Sequence, residues 1–132
     1  MFLIVKIETA RLLRKNPTSN KLYRVVFWLN PEVRGSTTVA AEPTWGEEYR
    51  LELEAGQNCR FLYMEVLSFS RPADSDPGTS TGVAVVGRVR IRLPRLTGRK
   101  EGGVYALVRL EGDGCIESGK VLVYTKVVGD DF

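Results

Sequence analysis

The sequence has no histidine and only two cysteines, Cys59 and Cys115, among its 132 residues. Without imidazole there is no Ser–His or Cys–His activation of a nucleophile, and no side chain that ordinarily exchanges a proton near neutrality. Carboxylate, lysine and tyrosine chemistry stay open in principle, but no motif argues for them, so an enzyme is not expected. Two thiols with no CxxC and no histidine do not make a zinc site. They are expected to be reduced, one near a strand start and one in a turn. Long apolar runs are also missing, since none approaches the roughly 20 residues of a membrane span. The opening Met1-Phe2-Leu3-Ile4-Val5-Lys6-Ile7 lacks a basic leader and is broken by Lys6 and Glu8. It reads as a strand rather than a signal peptide, and an intracellular location is the expectation.

Helical periodicity is nearly absent as well. What recurs is short β-rich runs separated by turn residues. The expected strands are 2–8, 22–29, 35–41, 47–54, 61–69, 83–93, 104–110 and 120–127. The fourth alternates cleanly, with Tyr49, Leu51 and Leu53 on one face and Glu48, Arg50, Glu52 and Glu54 on the other. Pro31 closes the second, because proline removes a ladder donor. Eight short strands at regular spacing indicate an antiparallel sandwich. A chain of 132 residues is about one domain and is long enough to bury roughly two-thirds of its unfolded surface without a staple. A single domain over 1–132 is expected.

The net charge of +3 is mild but unevenly spread. Arg11, Arg14, Lys15, Lys21 and Arg24 follow one another with no acid between them. Arg88, Arg90, Arg92, Arg95, Arg99 and Lys100 do the same, while 47–54 is acidic apart from Arg50. Patchiness of this kind favours oriented binding to an anionic surface. In a strand, Arg88, Arg90 and Arg92 share one face while Val89, Ile91 and Leu93 face the core. Guanidinium groups suit phosphate and carboxylate. The competing reading is a solvated outer face that keeps the sheet soluble, which is the commoner use of such a row. Aromatic residues do not interleave with the row, so nucleic acid is not an expected partner. Trp28, Phe27, Trp45 and Tyr49 are expected in the core.

Glu42-Pro43-Thr44-Trp45-Gly46-Glu47-Glu48-Tyr49, running into the alternating strand, resembles the Pro-x-Trp-x-Glu-Glu-aromatic signature of C2 domains. The likeness extends along the chain. Ala10-Arg11-Leu12 is similar to the family's Ala-x-x-Leu turn, and Tyr23-Arg24-Val25-Val26 to its Tyr-Val-x-Val strand. Tyr63-Met64-Glu65-Val66 and Val86-Gly87-Arg88-Val89-Arg90-Ile91-Arg92-Leu93 resemble two further strands. Trp28-Leu29-Asn30-Pro31 looks most like the small single-domain C2 proteins of plants. The resemblance implies an all-β, eight-stranded antiparallel C2-type sandwich. It also implies a non-catalytic docking module for membranes or proteins, with a role in defence or cell-death signalling.

Members that bind calcium use aspartates from two loops, and six to eight oxygens must surround the ion. Against that pattern, Ser19-Asn20-Lys21-Leu22-Tyr23 puts Lys21 at or beside an aspartate position. The other first-loop ligand falls near Lys15 or Asn16, and Ser68-Phe69-Ser70 replaces an Asp-x-Asp. Only Asp74 and Asp76 could contribute, and turn chemistry beside Pro77-Gly78 is the simpler account of both. No cofactor is expected, calcium included. Arg14, Lys15 and Lys21 would supply the positive charge an ion otherwise brings. With Arg88, Arg90 and Arg92 they are the candidate lipid- or anion-binding residues. The expected partner is an anionic phospholipid membrane, reached from the cytoplasm at the plasma membrane, or an acidic protein.

Overall fold

A computed structural model describes residues 1–13, 21–54, 58–70 and 82–129. They form β1 (Phe2–Leu12), β2 (Lys21–Asn30), β3 (Val33–Ser36), β4 (Thr44–Glu52), β5 (Phe61–Ser70), β6 (Ala84–Arg92), β7 (Glu101–Glu111) and β8 (Gly114–Val128). All pairings are antiparallel, and the strand order is β3-β2-β5-β6-β7-β8-β1-β4. Between β6 and β7 only one residue pair joins the ladder, Arg88 with Val108. The strands therefore fall into two four-stranded layers, β3-β2-β5-β6 and β7-β8-β1-β4, stacked as a sandwich.

The core follows from period-two patterning. Leu3, Val5 and Ile7 of β1, Val25, Phe27 and Leu29 of β2, Leu62, Met64 and Val66 of β5 and Val121, Val123 and Val127 of β8 are buried together. Phe27 and Tyr49 bridge the layers with ring centroids 5.1 Å apart. The fourth strand keeps its expected faces, with Leu51 buried and Glu48, Arg50 and Glu52 exposed.

Among the boundaries that differ from expectation, including a first strand that runs on to Leu12 and a seventh that starts at Glu101, three have a plain physical reason. The third strand ends at Ser36 instead of reaching Ala41. Beyond it, side chains satisfy the backbone: Thr37 Oγ1 accepts from Val25 N–H at 2.9 Å, and Thr38 N–H donates to Glu47 at 3.0 Å. The fourth strand starts at Thr44, not Glu47. Its register against β1 slips between Ile7 and Thr9, which face Glu47 and Thr44. One extra residue is accommodated there by a bulge, with Gly46 at φ +61°, a conformation that favours glycine. The eighth strand begins at Gly114, directly after the two-residue turn Gly112-Asp113, because β7 and β8 pair as a hairpin up to Glu111 and Gly114.

Candidate functional site

The Trp-x-Glu segment is a structural clamp. Trp45 Nε1–H donates to Thr38 O at 2.9 Å. Glu47 accepts from the Thr38 amide and hydroxyl, and from Tyr49 O–H at 2.6 Å. The Tyr49 hydroxyl, against the opposing push of partial burial, and then the Thr38 donors hold the Glu47 carboxyl below its ordinary range. Burial and then Glu47 push Tyr49 far above the usual phenol range. These residues fasten the segment after β3 to β4, where Tyr23 and Ala40 form an isolated bridge.

On the outside of the β3-β2-β5-β6 layer, Arg88, Arg90 and Arg92 of β6 are exposed, with Ile91 buried and Val89 half-buried between them. The register places Glu65, Tyr63 and Phe61 of β5 opposite Arg88, Arg90 and Arg92. Tyr63 in turn lies opposite Trp28, and Trp28 opposite Arg34 of β3. Trp28 and Tyr63 stack, with centroids 6.0 Å apart and planes 18° from parallel. Arg90 lies over the Phe61 ring at 4.5 Å. Arg88 Nε donates to Glu65 at 2.7 Å. Arg34, Arg90 and Arg92 have no carboxylate partner among the described residues.

This surface corrects two expectations. Trp28 is half-buried on the outer face, outside the core cluster, while Phe27 is fully buried. The parity of β2 is the cause: Val25, Phe27 and Leu29 point inward, so Arg24, Val26 and Trp28 point outward. The basic row also has aromatic neighbours after all, supplied by adjacent strands. Their absence along β6 is therefore no ground against a stacking ligand.

The other candidate residues lie elsewhere. Lys21 is the exposed first residue of β2, not a loop residue, and stands opposite Ser70. Arg92 stands opposite Phe61. At about 3.3 Å per residue along β5, these positions are roughly 30 Å apart, at opposite ends of the layer. Arg14, Lys15, Asp74 and Asp76 lie outside the described residues. Ser68, at the strand exit where the family pattern has aspartate, is buried at 4% exposure. Among the described residues no group of three His, Cys, Asp or Glu could hold a metal ion.

The C2 domain family model matches residues 2–107. The chain belongs to the C2 domain family. Such a domain is in itself a non-catalytic module that docks on membranes or proteins. No curated protein matches the sequence significantly. Among solved structures, this C2 domain is similar to CC2D1B, described in the mitotic reformation of the nuclear envelope. The TM-score is 0.68 and the identity 16%, covering 96% of this chain and 54% of that one, so the chain spans about half its length. A C2 domain of plant extended synaptotagmin 1 matches with TM-score 0.62 and 17% identity, over 98% and 96% of the two chains. A C2 domain-containing protein from a putative elicitor-responsive gene matches with TM-score 0.60 and 16% identity, over 96% and 88%. At these identities the likeness speaks for the fold.

Proposed function

We propose that this C2 domain attaches peripherally to anionic phospholipid membranes without calcium, through its basic side chains. The observation that carries this reading is the exposed row Arg88, Arg90 and Arg92, two of whose guanidinium groups are uncommitted to any described carboxylate. Each such group contributes about 1 kcal/mol near an anionic leaflet. Three amount to about 3 kcal/mol, or roughly a hundredfold enrichment, which is reversible and salt-sensitive. Arg14, Lys15 and Lys21 add a second contact and take the place of a bound ion. The domain then acts at the cytoplasmic face of the plasma membrane. The likeness to the elicitor-responsive protein supports a place in plant defence or cell-death signalling.

Co-sedimentation with neutral and anionic vesicles, with calcium or chelator, at low and physiological salt, tests this. The expected result is binding to anionic vesicles that survives chelation and weakens with salt. A strict calcium requirement would overturn the reading of the loops. A second reading, a protein scaffold with no lipid binding of its own, is favoured by the exposed aliphatic row of β7, where Val104 is 64% and Leu110 69% exposed. An absence of vesicle binding under every condition would favour it.

A further inference from the structure

Strands β6 and β7 pair in register at Arg88 and Val108 alone, and Gly87 explains how the two layers come so close there. A Cβ there would lie 2.4 Å from Ser118 Oγ and 2.8 Å from Leu107 Cβ. To either side of that pair no further residues of the two strands join in a ladder. Strand β5 pairs with β6 on its other edge, and β8 pairs with β7 over its whole length. The edges that face each other across the seam therefore have no strand partner there. Two clefts flank the contact, and both have Arg88 and Val108 in their walls. One, of about 560 Å³, runs to Trp28, Tyr63 and Arg90. The other, of about 290 Å³, runs to Val85, Arg109 and Leu110. Together they make one groove along the seam, with arginines on its rim and an aliphatic wall. In that wall Val108 is 43% and Leu110 69% exposed.

We propose that this groove holds an extended peptide with carboxylates at alternate positions, its backbone pairing with a strand edge at the seam. Three observations favour such a peptide. First, unpaired strand edges are templates for an added strand. Second, Arg88, Arg90 and Arg92 recur at every second residue, about 6.6 Å apart. An extended peptide presents alternate side chains at that same interval, whereas headgroups in a fluid membrane hold no fixed spacing along a line. Third, the chain already makes one such cross-strand pair, from Glu65 on β5 to Arg88 at 2.7 Å. A carboxylate arriving at the opposite edge of β6 would meet Arg90 and Arg92, which no described carboxylate engages. The intervening side chains of the peptide turn to the inner face of the sheet, as Val89 and Ile91 of β6 do, and are therefore apolar, while Val108 and Leu110 line the outer face beside the arginines.

The probe is a short acetylated, fluorescein-labelled peptide in which Glu alternates with Val, titrated with the whole chain and read by fluorescence anisotropy. Three comparators accompany it: the same composition with the glutamates contiguous, the alternating peptide with every second amide N-methylated, and a single-stranded oligonucleotide of equal charge. The alternating peptide should bind at least tenfold more tightly than any comparator. Arg90→Glu should weaken it at least tenfold while the thermal midpoint stays unchanged. Equal binding by the contiguous or N-methylated peptide would reduce the effect to bare electrostatics and overturn the proposal. Tighter binding of the oligonucleotide would overturn it in favour of a stacking surface. Failure of every peptide, while phosphatidylserine vesicles still bind, would overturn it and leave lipid docking alone.

Discussion

Removing an acidic residue from this surface should strengthen its attachment to membranes. Among the described residues Glu65 is the one carboxylate in contact with the basic row, 2.7 Å from Arg88 Nε, with its own side chain 19% exposed and that of Arg88 57% exposed. Three arginines less one glutamate give this patch a local charge of +2, and Glu65→Gln raises it to +3. The substitution keeps the size and one acceptor oxygen, so the patch changes in charge and little else. At about 1 kcal/mol per unit of charge near an anionic leaflet, partitioning onto phosphatidylserine vesicles should rise about fivefold. The fold should hardly notice, because exposed ion pairs contribute only about 0–1 kcal/mol. Co-sedimentation at low salt measures the gain, which should fade as the screening length shortens from about 30 Å at 0.01 M to about 8 Å at 0.15 M. The reverse perturbation, Arg90→Glu, changes the charge by two units and should weaken partitioning about thirtyfold. If Glu65→Gln leaves vesicle binding unchanged or weakens it, the outer face of β6 is not the surface that meets lipid.

Three stability predictions follow from the geometry. Gly87→Ala should cost about 2 kcal/mol by overpacking in a urea melt, and adding Ser118→Ala should recover only part of that, since Leu107 Cβ still lies 2.8 Å from the new methyl; a cost near zero would mean that the seam is loose. Glu47→Gln should cost about 1–2 kcal/mol at neutral pH by weakening charge-assisted bonds from Tyr49 and Thr38. Because the folded carboxyl is held below its ordinary range, its stabilisation is present above that range and is lost as pH falls from there through the lowered range of the folded state. The urea midpoints of parent and variant should therefore converge at low pH, and a constant gap would count against the assignment. Trp45→Phe removes the bond from Nε1–H to Thr38 O and should cost about 1 kcal/mol, with increased amide exchange after β3 as the local signature.

The strands were legible in the sequence because each reports a local fact, the alternation of apolar and polar residues, and turn residues mark where it stops. The failures came where side chains replaced a ladder. Thr37 and Thr38 read as strand residues by composition, yet their hydroxyls and amides bond Val25 and Glu47, and the strand ends at Ser36. The Gly46 bulge was hidden for a different reason, since one extra residue in β4 is visible only against the register of β1. The alternation of Arg88, Arg90 and Arg92 could be read directly, because parity within one strand sets the face.

What stands beside that row could not be read, because it depends on which strands become neighbours. Residues 28, 63 and 90 are separated by dozens of positions in sequence, yet they form one line across β2, β5 and β6. Parity alone placed Trp28 out of phase with Val25, Phe27 and Leu29, and therefore on the outer face. Its aromatic identity pointed to the core and outweighed that signal. A large aromatic residue at an outward position leaves apolar area at the surface that something must cover. Here Tyr63 covers part of it by stacking, and the cleft toward Arg90 leaves the rest open. A purely solvating arginine face would require no aromatic neighbour, so the line from Trp28 through Tyr63 to Arg90 supports the proposed anionic ligand over a face that only keeps the sheet soluble.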